Sequence, residues 1–471
     1  MAGARAPLTV LLLAAGQGTR LKSKTIKLLH PVAGQPMVAW VARATQALRP
    51  TRTVAVVGFQ AERVQAALAG LCDAFALQAE QRGTGHAVVQ AAKAIGNTQG
   101  PLLIVNGDLP SLEPDTLRAL VALHRKSKAA LALVTTELED PTGYGRIVRD
   151  AKGRVARIVE HKDATRAERR IAEINCGIYC VEPSVLLPLL KKLRPDNAQG
   201  EYYLTDAVHA LIAKGAAVVA LKHAAAEEVL GVNTRAELAF AGAAQYARKA
   251  RELQNDGVTL LDPGRTCVDP RAKIGRDTVL YPDVLIEGAC VIGEDCVVRS
   301  GSRLADVVLG RGVEVKDHCV LVASQVGDGA QLGPFAHLRP GSIVEADAHV
   351  GNFVELKKTR LGKGSKAPHL AYLGDADIGP ACNIGAGTIT CNYDGVSKHT
   401  TTLGAGVFVG SDSQLVAPVT VGAGAYVAAG TTVTEDVPAG ALALSRVRQL
   451  NLEGWVERRK KKAAGARSSG S

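Results

Sequence analysis

The chain has 471 residues, more than a single hydrophobic core usually serves, so two or three domains are expected. Its net charge of +11 suits nucleic acid or small phosphate-bearing anions equally well, but aromatics are only 4% of the chain and none interleaves a basic stretch as a single-strand platform requires. Nine cysteines, an odd number without a CxxC pair, argue against a disulfide framework or structural zinc and point to a reducing cytoplasm.

The first apolar run, Leu8–Ala15, follows Arg5 and has the outline of a secretory leader. It ends, however, in Gly16-Gln-Gly-Thr-Arg20, a glycine loop carrying a cation, which a discarded peptide has no reason to encode. A buried first strand is therefore expected. No stretch approaches the ~20 apolar residues that cross a membrane. Further strands are predicted at Thr53–Val57 and Leu102–Val105, with amphipathic helices at Val38–Leu48, Ala61–Ala69, Ala87–Ala94 and Leu117–Lys126. This alternation predicts a doubly wound α/β (Rossmann-like) domain with its site at the carboxyl ends of the strands. Two such ends carry chemistry. Small residues in Leu13–Arg20 let backbone amides approach a phosphate, and Arg20 and Lys27 add positive charge where a breaking polyphosphate develops negative charge. At the end of Leu102–Asp108, a carboxylate directly after a strand is well sited to hold Mg²⁺ against phosphates.

Ala236–Leu253 is rich in Ala, Glu, Arg and Leu and predicts a long helix that ends at Asn255-Asp-Gly257. Beyond it an aliphatic residue returns every sixth position: Ile274, Leu280, Ile286, Ile292, Val298 and Leu304. After one-residue slips the pattern resumes at Leu309, Val315 and Leu321, then at Val326, Leu332 and Leu338, and again from Val409 to Val433. Neither helix nor alternating strand has this period; a left-handed parallel β-helix of hexapeptide repeats does. Cysteines such as Cys290 and Cys296 fall at its small-residue positions, where they act as small apolar side chains. Between Leu338 and Val409 the period blurs, and polar residues gather there. His369 is the natural general base, set among Arg339, Lys357, Tyr372, Asn383 and Tyr393. The polybasic end, Arg458–Lys462, is expected to be a disordered, solubilising tail.

The strings Leu13–Arg20, Lys27–His30, Gln78–Thr84, Asn106–Asp108, Gly143–Arg146, Glu160–Asp163, Glu173–Asn175 and Glu228–Asn233 together resemble the sugar-nucleotide pyrophosphorylase family. With the six-fold repeat behind them, the whole chain from Leu8 to about Trp455 is similar to the bacterial bifunctional N-acetylglucosamine-1-phosphate uridyltransferase / glucosamine-1-phosphate acetyltransferases. That resemblance implies a uridyltransferase domain over 1–234, a helical linker over 235–256, an acetyltransferase β-helix over 257–450 and a basic tail over 451–471. It implies that Leu13, Ala14, Ala15, Gly16, Gln78, Gly83, Thr84, Asn106 and Gly107 surround the uridine nucleotide. Asp108 and Asn233 would hold Mg²⁺, and Gly145, Glu160 and Asn175 the acetylated sugar phosphate. Lys27 and Arg20 would neutralise UTP during in-line attack at the α-phosphorus.

In the second domain the resemblance makes His369 the base that deprotonates the amine of glucosamine 1-phosphate. Arg339 and Lys357 would bind that sugar's phosphate, with Tyr372 and Asn383 shaping the acceptor pocket. Ala386, Asn392, Tyr393, Ser411, Ala429 and Arg446 would receive acetyl-CoA. The same resemblance implies a cytoplasmic homotrimer acting on small molecules, not nucleic acid or membrane, and supplying peptidoglycan and lipopolysaccharide precursors. One residue departs from the family pattern: Ile26 stands where Pro usually precedes the loop lysine, which loosens the backbone behind Lys27. The alternatives are a single-activity sugar-1-phosphate nucleotidyltransferase with a regulatory β-helix, and a regulatory subunit with a degenerate transferase domain.

Overall fold

A computed structural model describes residues 7–97 and 100–468, which fall into two compact units, Met1–Lys249 and Ala250–Ser471. Arg5, the cation of the leader-like reading, and the last three residues of the basic tail lie outside the described residues.

In the first unit the order of the main sheet is Val218–Lys222, Leu131–Glu137, Glu173–Val181, Leu102–Asn106, Thr9–Ala14, Arg52–Val57, Ala74–Leu77. The Thr9–Ala14 strand is central, pairing in parallel with Arg52–Val57 on one side and Leu102–Asn106 on the other, so the leader-like run is the heart of the sheet. Alternate residues feed two separate cores. Val10, Leu12, Leu103 and Val105 pack on one face, and Leu11, Leu102 and Ile104 on the other. Burial on both faces explains why these strands read as unbroken apolar runs. Helices Met37–Gln46, Ala61–Ala67, Thr84–Ile95 and Pro114–Ser127 stand close to the predicted spans. Glu173–Val181 runs antiparallel to both of its main neighbours, with a register shift between Asn175 and Tyr179 that breaks the alternation a sequence scan looks for.

In the second unit three sheets of eleven, ten and nine short parallel strands wind side by side. Leu280 pairs with Val298, Ile286 with Leu304 and Ile292 with Leu309, so three hexapeptides make one coil and each sheet takes every third repeat. The one-residue slips are coils one residue shorter. The six-fold aliphatic residues fill the interior, with Leu280, Ile286, Val298 and Leu304 fully buried. Ala250 and Leu253, at the end of helix Arg235–Asn255, join the same core and close its first coil. All nine cysteines are unpaired. Burial pushes the Cys319 thiol up to about 11, as expected of a small apolar space-filler.

Two expectations need correction. Over most of the stretch from Leu338 to Val409 the repeat holds: Val344, Val350, Leu356, Leu361, Leu373, Ile378 and Ile384 continue the buried column. Ala367 and Thr390 hide it, being interior positions without a large aliphatic side chain. The one true interruption follows Cys391. There Ile378 pairs with Leu403, 25 residues on, whereas Leu361 pairs with Ile378, 17 residues on, so a loop over 392–400 is extruded from the prism. The basic end is likewise not irregular: Trp455–Ser468 forms a helix, consistent with its Ala, Glu, Lys and Arg content.

Candidate active sites

The first site is a cleft at the carboxyl ends of Thr9–Ala14 and Leu102–Asn106. One half is lined by Ala15, Gly16, Gly18, Lys27, Gln78, Gln81, Gly83 and Glu201. The other is lined by Tyr144, Gly145, Glu160, Asn175, Thr205, Gly231, Asn233 and Glu237. Leu13, Arg20, Thr84, Asn106 and Asp108 border both halves and make them continuous. The Ala14 side chain points instead into the core, and Gly107 is held with its N–H on the Leu13 carbonyl, so both could meet a ligand only through backbone.

Glycines set several contacts. Gly18, at φ +67°, lies over the Lys27 stem, where a Cβ would come within 2.3 Å of the lysine's own Cβ. Gly83, at φ +104°, is pressed on the Tyr202 backbone, and Gln78 Nε2 donates to its carbonyl at 3.0 Å. Nothing within 4 Å restricts a side chain at Gly16, which leaves that face of the loop open to a ligand.

At the centre four side chains converge. Lys27 Nζ donates to Asp108 Oδ2 at 2.5 Å and to Asn233 Oδ1 at 3.0 Å, while Arg20 Nη2 donates to the same Asn233 oxygen at 2.8 Å. Asn233 is fixed from behind, its backbone N–H donating to Glu237 Oε2 at 2.5 Å. Ile26 is 1% exposed and its backbone sits at φ −55°, inside the window proline would impose.

At the other end Glu160 Oε1 accepts from Thr205 Oγ1 at 3.0 Å, and Asn175 Nδ2 donates to the Tyr179 hydroxyl at 2.6 Å. Burial pushes the Glu160 carboxyl above its usual range and the Tyr144 hydroxyl up to about 12. Tyr144, Thr205, Glu201 and Glu237 were not singled out by sequence. Tyr144 lies inside the quoted Gly143–Arg146 string and Glu237 one helical turn after Asn233, so those two had a local signal; Thr205 and Glu201 had none.

The second site is built on the β-helix in two columns. In the first, Asn352 pairs in register with His369, and their side chains join, with His369 Nδ1 donating to Asn352 Oδ1 at 2.8 Å. The column continues over the following coils through Ala386, Ser411 and Ala429, joined by Asp412 N to Ala386 O at 2.7 Å and Gly430 N to Ser411 O at 2.8 Å. Small residues let these coils stack closely, since a Cβ on Gly385 would lie 2.6 Å from Ser411 N and one on Gly410 2.5 Å from Ala429 N. Arg446 ends the column, donating to the Ala429 carbonyl at 3.3 Å.

The second column holds Arg339 and Lys357. Arg339 pairs with Glu355 at 2.9 Å and Lys357 with Asp375 at 3.3 Å. Burial raises the Asp375 carboxyl, but hydrogen bonds from Asn392, at 2.5 Å, and from Lys357 outweigh it and hold the group below the usual carboxylate range. Gly374 is the space into which Tyr372 and Asn392 lean: a Cβ there would lie 2.5 Å from the Tyr372 hydroxyl and 2.8 Å from the Asn392 amide. Lys357 pairs with Gly374 at the end of the short strand that Tyr372 begins. Asn383 and Tyr393 are not brought to either column. Asn383 pairs with Lys366 and Phe408, and Tyr393 turns its hydroxyl onto Gly395 O, at 2.6 Å, within the extruded loop.

Comparison with known proteins finds matches in both parts of the chain. The Nucleotidyl transferase family model matches residues 9–227, and the GMPPB C-terminal domain model matches 263–363. A UDP-glucose pyrophosphorylase solved with UDP-glucose is similar at 20% identity and TM-score 0.42, over 51% of this chain and 99% of that one. The Bifunctional protein GlmU of Pelobacter propionicus is 50% identical over 96% of this chain and 98% of its own. That of Anaeromyxobacter sp. strain Fw109-5 is 52% identical over 97% and 94%, and that of Geobacillus sp. strain WCH70 is 47% identical over 95% and 97%. With about half of its residues shared across nearly the full length of these relatives, the chain belongs to the bifunctional GlmU family.

Proposed function

We propose that the second unit transfers the acetyl group of acetyl-CoA to the amine of glucosamine 1-phosphate. The first unit then transfers the uridylyl group of UTP to the resulting N-acetylglucosamine 1-phosphate and releases pyrophosphate. The observation that carries this reading is one continuous cleft with cations and a carboxylate at its centre and neutral or acidic hydrogen-bonding groups at one end. Lys27 and Arg20 stand where a polyphosphate's charge must be offset, and Glu160, Asn175 and Thr205 where sugar hydroxyls can be held. Gln78, Gly83 and the Leu13–Gly16 backbone take the uracil and ribose. The cluster of Lys27, Asp108 and Asn233 argues against a degenerate transferase.

Mg²⁺ fits the donor set. Asp108 and Asn233 offer two hard oxygens to one cationic atom, the Lys27 ammonium, which stands in for a metal. No group of three or more His, Cys, Asp or Glu side chains arranged for a metal occurs among the described residues, so phosphate oxygens and water would complete the shell. Bound there, Mg²⁺ would offset charge on the leaving pyrophosphate.

In the acetyltransferase, His369 Nδ1–H is committed to Asn352, which leaves the Nε2 lone pair to take the proton from the attacking amine. Arg339 and Lys357 hold the sugar phosphate beyond their carboxylate partners. The Ala386–Ala429 column, ended by Arg446, takes the pantetheine and phosphates of coenzyme A. Asn383 and Tyr393 fall outside this constellation within one chain, which supports a homotrimer whose neighbouring prisms complete the site. Unpaired cysteines fit a cytoplasmic setting, and among the described residues no helix is long and apolar enough to cross a membrane. The test is a paired assay of coenzyme A release and pyrophosphate release on the full chain. Loss of acetyl transfer alone in His369→Ala, and of uridylyl transfer alone in Asp108→Ala, is expected; unchanged acetylation in His369→Ala would remove the base assignment.

A further inference from the structure

The carboxylate and amide proposed for the metal are already engaged. The Lys27 ammonium lies 2.5 Å from Asp108 Oδ2 and 3.0 Å from Asn233 Oδ1, and Arg20 shares that second oxygen. The pair is enclosed, with the Lys27 and Asp108 side chains 13% and 20% exposed. Asp108 is backed by Gly231, where a Cβ would come within 3.1 Å of its carboxylate. Glu237 faces the same corner but is occupied by the Asn233 and Thr234 backbone N–H groups. The charges of Lys27, Arg20, Asp108 and Glu237 therefore cancel. A divalent ion arriving alone finds its ligands covered and no excess of negative charge among these four groups to draw it in. A triphosphate changes both conditions: it brings several negative charges and offers the ammonium a new partner. Lys27 hangs on a flexible four-carbon stem threaded beneath Gly18, so its head can transfer to the phosphates without backbone movement.

We propose that Lys27 is the place-holder for the metal in the nucleotide-free protein. The divalent ion gains Asp108 and Asn233 only as UTP draws the ammonium away, so metal and nucleotide enter together. This rests on the reading of Asp108 and Asn233 as metal ligands.

The test measures Mn²⁺ binding to the full chain from the EPR signal of free Mn²⁺, with and without UTP and with no sugar phosphate present. Without UTP, Lys27→Met is expected to bind Mn²⁺ on the order of tenfold more tightly than the wild type, the scale of a partly buried ion pair removed from competition. Lys27→Arg should stay weak, and Lys27→Met combined with Asp108→Asn should lose the gain. Arg20→Gln removes the same charge but leaves Asp108 covered, so its gain should be smaller; an equal gain would mean a general field effect and would overturn the place-holder role. Lys27→Gln repeats the measurement if the methionine variant unfolds. If Lys27→Met matches the wild type while Mn²⁺ binding with UTP still requires Asp108, the inference falls and the metal reading stands. If Asp108→Asn leaves Mn²⁺ binding with UTP unchanged, the metal reading itself falls, and this inference with it.

Discussion

Gly351→Ala should damage one activity and spare the other. An added Cβ would lie 1.8 Å from the Pro368 carbonyl oxygen and 2.4 Å from its carbonyl carbon, backbone atoms that no rotamer change can move. Non-bonded contact distances require those atoms to retreat by more than ~1 Å. The next residue is His369, whose imidazole is aligned by Asn352, immediately after Gly351. The two sides of that hydrogen bond are thus pushed apart. A displacement of ~1 Å at a reacting group costs about 10²-fold in rate, so acetyl transfer should fall by roughly that factor. Overpacking of this kind also costs about 1–3 kcal/mol of stability, which should appear as earlier unfolding of the β-helix. The assay is coenzyme A release and pyrophosphate release on one preparation. Acetyl transfer within twofold of the wild type, in a folded variant, would refute the claim that the Gly351–Pro368 contact sets the position of His369.

Three further outcomes follow from the same geometry. Leu321→Ala empties a fully buried position in the prism and should cost about 2–5 kcal/mol, read by denaturant unfolding; a change under ~1 kcal/mol would mean the column is not the load path. Burial raises the Glu160 carboxyl, so its contribution to stability is complete below the unfolded value of about 4.5 and is lost as pH rises through the raised folded value. Glu160→Gln should flatten the pH dependence of unfolding across that window while weakening use of the sugar phosphate, and an unchanged slope would contradict the shift. Chelation of divalent ions should stop pyrophosphate release from UTP yet leave coenzyme A release intact, whereas equal loss of both would separate the metal from Asp108 and Asn233.

Much of this molecule was legible because its two periods are physically distinct. Strands buried on both faces left continuous apolar runs ending in Leu13–Arg20 and Asn106–Asp108, and three-sided coils left an aliphatic residue at every sixth position. What stayed hidden has particular causes. The coils at Ala367 and Thr390 use a small or polar interior residue, so the repeat looked broken where it continues. The Glu173–Val181 strand changes register at Asn175, which obscures its alternation. Thr205 reaches Glu160 across 45 positions, a contact no local pattern encodes. Asn352 opened one of the polar stretches that blur the period, but its bond to His369 lies on the next coil, and Gly351 gave no signal because its role lies in the coil stacked against it. In the second site the residues named from sequence divide between two columns, and Asn383 and Tyr393 join neither within one chain.

The central claim is that one chain carries two separable transferases, and the most direct measurement is the paired assay on the wild type, His369→Ala and Asp108→Ala. The account predicts both activities in the wild type, only pyrophosphate release in His369→Ala, and only coenzyme A release in Asp108→Ala. A wild-type chain that releases pyrophosphate but never coenzyme A from acetyl-CoA and glucosamine 1-phosphate would contradict it.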